Sequence, residues 1–237
     1  MATTSWRRSV RFTWAASSVV LLETVLFAAA FYPVLLAWHA VAAHVPSDTA
    51  RILLASALAI PAYLFFAVSF MLYSALATRV LGWRTADNLD LPLNEFSWPV
   101  LNWGRYSMTI HVVRVFAGPA FRSTTFWNLY MRLNGARLGR LVWVNSLSLM
   151  DHNLLDFDDE VVIGSDVHLS GHVVEHGRLK TKRVQLGKGT VIGVGSVLGI
   201  GVTSGPHAQV GPLSFVPKHT HLEAASTYLG VPVHKLH

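Results

Sequence analysis

One segment, GHVVEHGRLKTKR at residues 171–183, concentrates side chains that could act on a substrate. His172 comes first and Glu175 follows three residues later; the four basic residues of the segment are Arg178, Lys180, Lys182 and Arg183. A histidine can take up a proton at neutral pH, and a nearby carboxylate can fix which ring nitrogen carries the proton. Clustered arginines and lysines bind phosphate groups. The segment is therefore a candidate site for proton transfer combined with phosphate binding.

The sequence around this segment repeats every six residues. An anchor recurs at each sixth position: Leu186, Ile192, Leu198, Ser204, Val210, Val216, Leu222 and Tyr228. Glycine follows the first five anchors, and the fourth residue after each of the first seven anchors is small or β-branched. Earlier hexads begin at Ile163 and Leu169, and looser ones begin at Leu138 and Val144.

A six-residue period fits neither the 3.6-residue repeat of a helix nor the two-residue repeat of a strand. It predicts a parallel β-helix with three flat faces, in which three hexads complete each turn of about 18 residues. The anchor and the small fourth residue should point inward, and we expect glycine to supply the positive φ angle of each corner. The hexads fall out of phase between Val174 and Leu186, so this stretch should leave the coil as a loop, where binding sites are often built.

The histidines of the same region raise the alternative of a metal site. His168, His172 and His176 are spaced four residues apart, and His152 lies upstream. This spacing brings side chains together on a helix but not along short strands and corners. We therefore predict no metal ligands here.

Two long apolar runs precede the repeats. Residues 12–43 carry Glu23 as their only charge, and residues 52–78 carry none. Each run is longer than the ~20 residues that a membrane-crossing helix needs, and the first is too long for the apolar part of a signal peptide. We divide the chain into a transmembrane helical hairpin (1–84), an amphipathic connector (85–134) and a hexapeptide-repeat β-helix domain (135–237).

Basic residues predict the orientation of this hairpin. Arg7, Arg8 and Arg11 precede the first run, Arg79 and Arg84 follow the second, and the intervening loop has Arg51 alone. The positive-inside rule places both termini on the cytoplasmic side of the inner membrane, in a multi-pass protein. The absence of cysteine is compatible with that compartment.

The sequence of the connector predicts a loop followed by short helices. Residues 88–103 have the proline and asparagine content of a loop, with Trp98 and Trp103 expected near lipid headgroups. Residues 108–121 and 124–135 predict short interfacial helices.

Composition argues against a nucleic-acid-binding protein. The chain is 52% hydrophobic and only 14% charged, and its net charge of +6 comes mostly from residues 1–84, with six basic and two acidic side chains. The remainder has 13 basic against 11 acidic residues, which is too balanced for a nucleic-acid surface.

The hexads resemble those of the hexapeptide-repeat acyltransferases, whose fold is a left-handed parallel β-helix. A closer likeness covers residues 127–236, including NLYMRLNGARLGRLVWV, GHVVEHGRLKTKRVQLGKGTVIGVGSV and GPLSFVPKHTHLEAASTYLGVPV. These segments resemble the membrane-attached C-terminal region of ε-poly-lysine-type peptide synthetases.

The resemblance implies a mainly β fold and an enzyme that moves an acyl or aminoacyl group from a thioester to a hydroxyl or amine. The donor would be acyl-CoA or a phosphopantetheine carrier protein, and no cofactor would be bound permanently. By matched position His172 would be the general base, with Glu175 as its orienting group and the four basic residues holding phosphates. Membrane lipid and two further copies of the chain, in a homotrimer, would be its partners.

Two other functions stay open at this point. One is a non-catalytic trimeric β-helix scaffold. The other is a metal site like that of the gamma carbonic anhydrases, which share the scaffold but place four residues between two of their ligand histidines, where this chain has three.

Overall fold

The computed structural model describes residues 2–236, with side chains from Trp6 onward. It begins with two helices, α1 (Ala2–Ala42) and α2 (Asp48–Val80), which pack against each other. Both are long and apolar enough to cross a membrane. Aromatic rings join them, with the Phe27 and Phe70 centroids 4.6 Å apart. The two apolar runs of the sequence thus form the expected helix pair.

The connector is more ordered than expected. It contains β1 (Asp90–Pro92), a 3₁₀ turn (Leu93–Glu95), α3 (Trp98–Phe116), α4 (Gly118–Phe121) and α5 (Thr125–Leu133). The loop predicted over residues 88–103 is therefore wrong in part, because it includes a strand and the start of α3. Helix α3 packs along both α1 and α2.

Helix α5 closes one end of the β-domain. It contacts α2 on one side and the first strands of the coil on the other. Trp127, Tyr130 and Met131 are at most 1% exposed. The amphipathic pattern of this segment thus reflects burial between the helices and the coil, not a surface lying on a membrane.

The remaining strands wind into the predicted coil. They are β2 (Arg137–Leu138), β3 (Trp143–Val144), β4 (Leu155–Phe157), β5 (Val162–Ile163), β6 (His168–Leu169), β7 (His172–Glu175), β8 (Arg178–Thr181), β9 (Val184–Leu186), β10 (Val191–Ile192), β11 (Val197–Leu198), β12 (Thr203–Ser204), β13 (Gln209–Val210), β14 (Phe215–Val216), β15 (His221–Leu222), β16 (Thr227–Gly230) and β17 (Val233–Lys235).

Three parallel sheets form the faces of the coil. One face contains β2, β4, β9, β12 and β15; the second β3, β5, β10, β13 and β16; the third β6, β11 and β14. Partners lie one turn apart, as Val191 pairs with Gln209 and Thr203 with His221. At the far end β17 folds back antiparallel on β16. The predicted fold class, a left-handed parallel β-helix behind two apolar helices, is confirmed.

The interior follows the hexads. The anchors Ile192, Val216 and Leu222 are fully buried, and so are the fourth-position residues Thr190 and Ser196. Each turn therefore adds one layer of apolar anchors and one of small side chains to a continuous core.

The glycine after each anchor has a different role from the one expected. Gly193 does not have a positive φ angle; instead, a Cβ at this position would lie 2.5 Å from the backbone nitrogen of Pro212 in the next turn. Positive φ angles occur three residues after the anchor, where Gly195 (68°), His207 (57°) and Leu213 (54°) share one conformation. The anchor-following glycine is thus required by the close approach of successive turns.

We predict that Gly193→Ala destabilises the protein by about 1–3 kcal/mol, because the added methyl group must push two turns apart. Gly104→Ala is the matched control, since nothing lies within 4 Å of a Cβ there and alanine favours helices by up to ~1 kcal/mol. Thermal unfolding of the purified full chain, followed by circular dichroism, measures both changes. Equal melting temperatures for the two variants would contradict this explanation of the repeat.

Candidate active site

The chain leaves the coil where the hexads lose phase. β7 and β8 form an antiparallel hairpin, and β1 pairs with β8 as a third strand. The turn residues His176 and Gly177 have φ angles of 50° and 71°, the left-handed pair of a two-residue type I′ turn. Val191 pairs with Val162, 29 residues earlier, so the excursion adds eleven residues to one turn. His172 is its first residue and lies at the rim of the coil.

A second irregularity brings a carboxylate to the same rim. The first turn spans 19 residues, since Trp143 pairs with Val162, whereas a regular turn of this coil spans 18. Just before the 3₁₀ turn His152–Leu154, Asp151 has a φ angle of 55°, a left-handed conformation that aspartate tolerates better than most residues. The side chain of Asp151 is fully buried.

Three side chains donate hydrogen bonds to Asp151. Thr85 Oγ1 lies 2.6 Å from Oδ1, Ser170 Oγ lies 3.0 Å from Oδ2, and His172 Nδ1 lies 2.5 Å from Oδ2. A buried carboxylate without partners would be costly, and these donors offset that cost. Thr85 follows α2, so the helical part of the chain contributes directly to the site.

These contacts fix the tautomer of His172. Nδ1 faces the Asp151 carboxylate and also lies 2.9 Å from Ser170 Oγ, so Nδ1 carries a proton that it donates. Among residues 2–236, no group is hydrogen-bonded to Nε2 of His172. With its side chain 20% exposed, the neutral ring presents Nε2 as a proton acceptor at the rim. This is the arrangement that a general base needs.

Helix α3 covers one side of the ring. The Trp103 and His172 centroids are 4.9 Å apart in an edge-to-face arrangement, and the indole Nε1 is buried without a partner in the described part of the chain. The pKa of His168 is lowered, chiefly by its partial burial. Sequence reasoning placed Trp103 near lipid headgroups and missed this contact.

The structure does not bring Glu175 to His172. The two residues are three apart on β7, so their side chains lie on opposite faces of the strand. Glu175 instead lies 2.5 Å from Lys218 Nζ and 2.9 Å from Lys180 Nζ. Hydrogen bonds from these lysines lower the pKa of Glu175 to about 2. The orienting contact that was expected from Glu175 is made by Asp151.

Asp151 and Thr85 were not found from the sequence, although one signal was available. Stepping by six from Val144 reaches residue 162, whereas the next clear anchor is Ile163. This one-residue slip marks the turn that contains Asp151.

The four basic residues predicted to hold phosphate each have an oxygen partner within the chain. Arg178 Nε lies 2.6 Å from Asp90 Oδ1, Lys180 Nζ 2.9 Å from Glu175 Oε1, Lys182 Nζ 2.5 Å from Asn88 Oδ1, and Arg183 Nε 3.8 Å from Asp87 Oδ2. Arg178, Lys182 and Arg183 thereby hold residues 87–90 against the hairpin. Their predicted role with phosphate stays a prediction.

A more open basic site lies beside the hairpin. A cavity of about 610 Å³ at the end of α2 is lined by Arg79, Arg84, Arg137 and Arg183, with Asp87 as the one carboxylate in its lining. Nη1 of Arg183 is buried there without a hydrogen-bond partner in the described residues. The cavity therefore combines excess positive charge with an unused donor.

The histidines do not converge as metal ligands. His172 begins β7 and His176 lies in the turn that follows it, about 13 Å away for four residues of extended chain. His152 is buried between Trp127 and Tyr130 and contacts the Leu149 carbonyl through Nε2 at 3.2 Å. In residues 2–236 no group of three or more histidine, aspartate or glutamate side chains is arranged to hold a metal ion.

A curated protein is similar to this chain in sequence. Over 174 residues the chain is 25% identical to the delta-poly-L-ornithine synthetase of Acinetobacter baumannii (strain AB307-0294); the match covers 72% of the chain and 13% of that protein. The chain is similar to the hexapeptide-repeat acyltransferases. The resemblance stated from the sequence, including its link to poly-amino-acid synthetases, is thus confirmed.

Two acetyltransferases are among the solved structures that match the chain. A galactoside acetyltransferase in complex with coenzyme A matches with a TM-score of 0.43 and 19% identity, over 57% of this chain and 81% of that one. A maltose O-acetyltransferase from Clostridium difficile 630 matches with a TM-score of 0.42 and 14% identity, over 56% and 86%. No family model matches the sequence.

The buried histidine beside Asp151 predicts a specific pH dependence of stability. Burial lowers the pKa of His152 from 6.5 to about 4. Between these pH values the unfolded chain binds a proton on His152 that the folded chain does not. The stability that comes from this difference in pKa is therefore complete above pH 6.5 and is lost as the pH falls toward 4. It amounts to about 3 kcal/mol at most.

His152→Phe should therefore reduce the fall in melting temperature between pH 6.5 and pH 4. His176→Phe, at the exposed tip of the hairpin, is the control and should keep the wild-type slope. If His152→Phe loses stability with acid as steeply as the wild type, His152 is not buried in its neutral form.

Proposed function

We propose that the chain is an acyltransferase that moves an acyl or aminoacyl group from a thioester to a hydroxyl or amine. The observation that carries the proposal is the contact between buried Asp151 and His172, at the rim where the hairpin leaves the coil. A pair of this kind prepares a neutral imidazole to accept a proton at Nε2. The 25% identity to a poly-ornithine synthetase supports a reaction that joins acyl units.

The proposed reaction has two proton transfers. Nε2 of His172 takes the proton from the acceptor hydroxyl or amine as the acceptor oxygen or nitrogen attacks the thioester carbon. The C–S bond then breaks, and the imidazolium returns its proton to the departing thiolate, which leaves as a thiol. Asp151 stabilises the imidazolium in between through its contact with Nδ1.

We propose that the donor is acyl-CoA or an acyl carrier arm, and that no cofactor stays bound. Its phosphates need cations with free donors. One cavity offers such cations more directly than the hairpin, whose lysines are already paired; it is lined by Arg79, Arg84, Arg137 and Arg183. Thr85 also lines this cavity and is hydrogen-bonded to Asp151.

We propose that α1 and α2 anchor the chain in the inner membrane, with both termini in the cytoplasm. Their length and apolar surface support this placement, as does the excess of arginine outside the loop between them. The acceptor is then a molecule at the membrane surface.

We propose a homotrimer, as the resemblance implies. The outward residues of the third face, Val197 and Phe215, are each 38% exposed and stack in register with His168. Nearby Val194 and Leu213 are 51% and 74% exposed. Such an apolar stripe is suited to burial against another copy, and the subunit count by native mass spectrometry tests the assignment.

A scaffold without catalysis is the competing function. A scaffold would require the coil and its exposed apolar face. It would not require the buried carboxylate of Asp151 to be hydrogen-bonded to the imidazole of His172. Full cellular function of a His172→Ala strain would favour it.

The catalytic proposal is tested with the purified full chain and a panel of acyl-CoA and aminoacyl-thioester donors, with thiol release and product formation measured together. We expect His172→Ala to lower kcat/KM about 10²–10⁴-fold, because the base is removed. Asp151→Asn should lower kcat with little change in KM, because the ring loses its orienting acceptor. Glu175→Gln is the matched control and should stay within about threefold of wild type.

The result that rejects the assignment is a His172→Ala variant that is as active as Glu175→Gln. If Glu175→Gln loses activity and Asp151→Asn does not, the orienting group is the one expected from the sequence.

The topology is tested by single-cysteine labelling, for which the natural chain needs no background substitutions because it has no cysteine. In intact cells a membrane-impermeant maleimide should label Ser47→Cys, in the loop between the helices, and should not label His176→Cys, at the hairpin tip. Inverted vesicles should give the opposite pattern. Labelling of His176→Cys in intact cells would contradict cytoplasmic termini.

A further inference from the structure

An arginine is buried within the helical part of the chain, on a different side of α3 from the candidate active site. Arg105 is only 4% exposed, and it forms no salt bridge among residues 2–236. Trp103, which contacts His172, is two positions away on the same helix, about 200° around its axis. Burial lowers the pKa of Arg105, yet an arginine keeps its proton at any physiological pH.

The hydrogen bonds of Arg105 leave one edge of its guanidinium unused. Nη1 lies 3.2 Å from Asn102 Oδ1. Nε and Nη2 are buried and have no partner in the described part of the chain. These two nitrogens form the side of the planar group that binds both oxygens of a carboxylate or phosphate. The donors left free are thus the pair that suits a bidentate oxyanion.

Three tryptophan rings surround this cation. The Arg105 guanidinium carbon lies 4.4 Å from the centroid of Trp14, 5.2 Å from Trp83 and 5.6 Å from Trp98. Cation–π contacts at these distances offset part of the cost of burying the charge, but they supply no hydrogen-bond acceptor. Trp14 and Trp98 are 58% and 46% exposed, so two of the rings against the guanidinium lie at the surface of the helical part.

An apolar groove begins at the same arginine. A cavity of about 630 Å³ between α1 and α3 includes Arg105, Asn102 and the three tryptophans in its lining, and continues along α1 past Ser18, Leu21 and Leu22 to Val25. From Trp14 to Val25 the groove follows α1 for about 17 Å. One end offers a cation and aromatic rings, and the rest offers aliphatic side chains.

We infer that this groove binds an anionic amphiphile, with its oxyanion head on Nε and Nη2 of Arg105 and its hydrocarbon chain along α1. Charge complementarity selects the head, and the apolar wall beyond Ser18 selects the chain. The head group is a phosphate or a carboxylate, from a phospholipid or a fatty acid. The site rests on the proposed membrane placement of α1 but not on acyl transfer, because binding is measured without a thioester.

The test uses native mass spectrometry of the full chain in a non-ionic detergent, titrated with dodecyl phosphate, dodecanoate or dodecanol. We expect one anionic amphiphile per chain and no specific binding of dodecanol. Arg105→Gln should weaken anion binding about tenfold or more, since charged hydrogen bonds are lost. Arg11→Gln is the matched control: it removes an exposed charge one turn before Trp14 and should bind within about twofold of wild type.

A second variant keeps the arginine and tests the groove. Val25→Trp narrows the end of the groove farthest from Arg105, so it should weaken the binding of dodecyl phosphate more than the binding of hexyl phosphate. This result stands even if Arg105→Gln fails to fold. Tighter binding of dodecyl phosphate than of dodecanoate points to a phospholipid, and the reverse to a fatty acid. Binding by Arg105→Gln at wild-type strength, or by Val25→Trp with unchanged chain-length preference, overturns the inference.

Discussion

The 2.5 Å contact between Asp151 Oδ2 and His172 Nδ1 is the interaction on which the rest of the site depends. It joins two departures from the coil that lie 21 residues apart, the turn before the 3₁₀ segment and the base of the hairpin. A carboxylate with no solvent access is stable only if several donors meet it, and Thr85, Ser170 and His172 do so. Because Thr85 follows α2, the helical part of the chain supplies one of these donors.

The coil explains why the site lies where it does. A hexapeptide solenoid is periodic, and each turn fixes the next through backbone pairing and glycine contacts. Chemistry that needs converging side chains has room only where the period fails. The six-residue period is interrupted twice, by one extra residue near Asp151 and by eleven extra residues after Gly171. Both interruptions lie at the same rim of the coil. Helix α3 then covers the rim with Trp103 on one side and holds Arg105 on another.

The coil could be predicted from the sequence because hexads are local: anchors, glycines and small residues appear in order along the chain. The position of His172 followed from the same phase argument. The partner of His172 could not be predicted in this way. Glu175 is only three residues from His172 in the sequence, but this spacing places it on the opposite face of the strand. Asp151 becomes a neighbour only through the three-dimensional register of two turns. The contacts of Trp103 and Arg105 depend on how α3 packs, which no periodicity specifies.

Nitrogen NMR of the histidine rings tests the central claim most directly. Protein with ¹⁵N-labelled histidine, compared with a His172→Asn sample to assign the signals, reports which nitrogen of His172 carries the proton when the ring is neutral. The account predicts protonated Nδ1 in a short hydrogen bond and bare Nε2, with the preference lost in Asp151→Asn. A proton on Nε2, or spectra unchanged by Asp151→Asn, would contradict it.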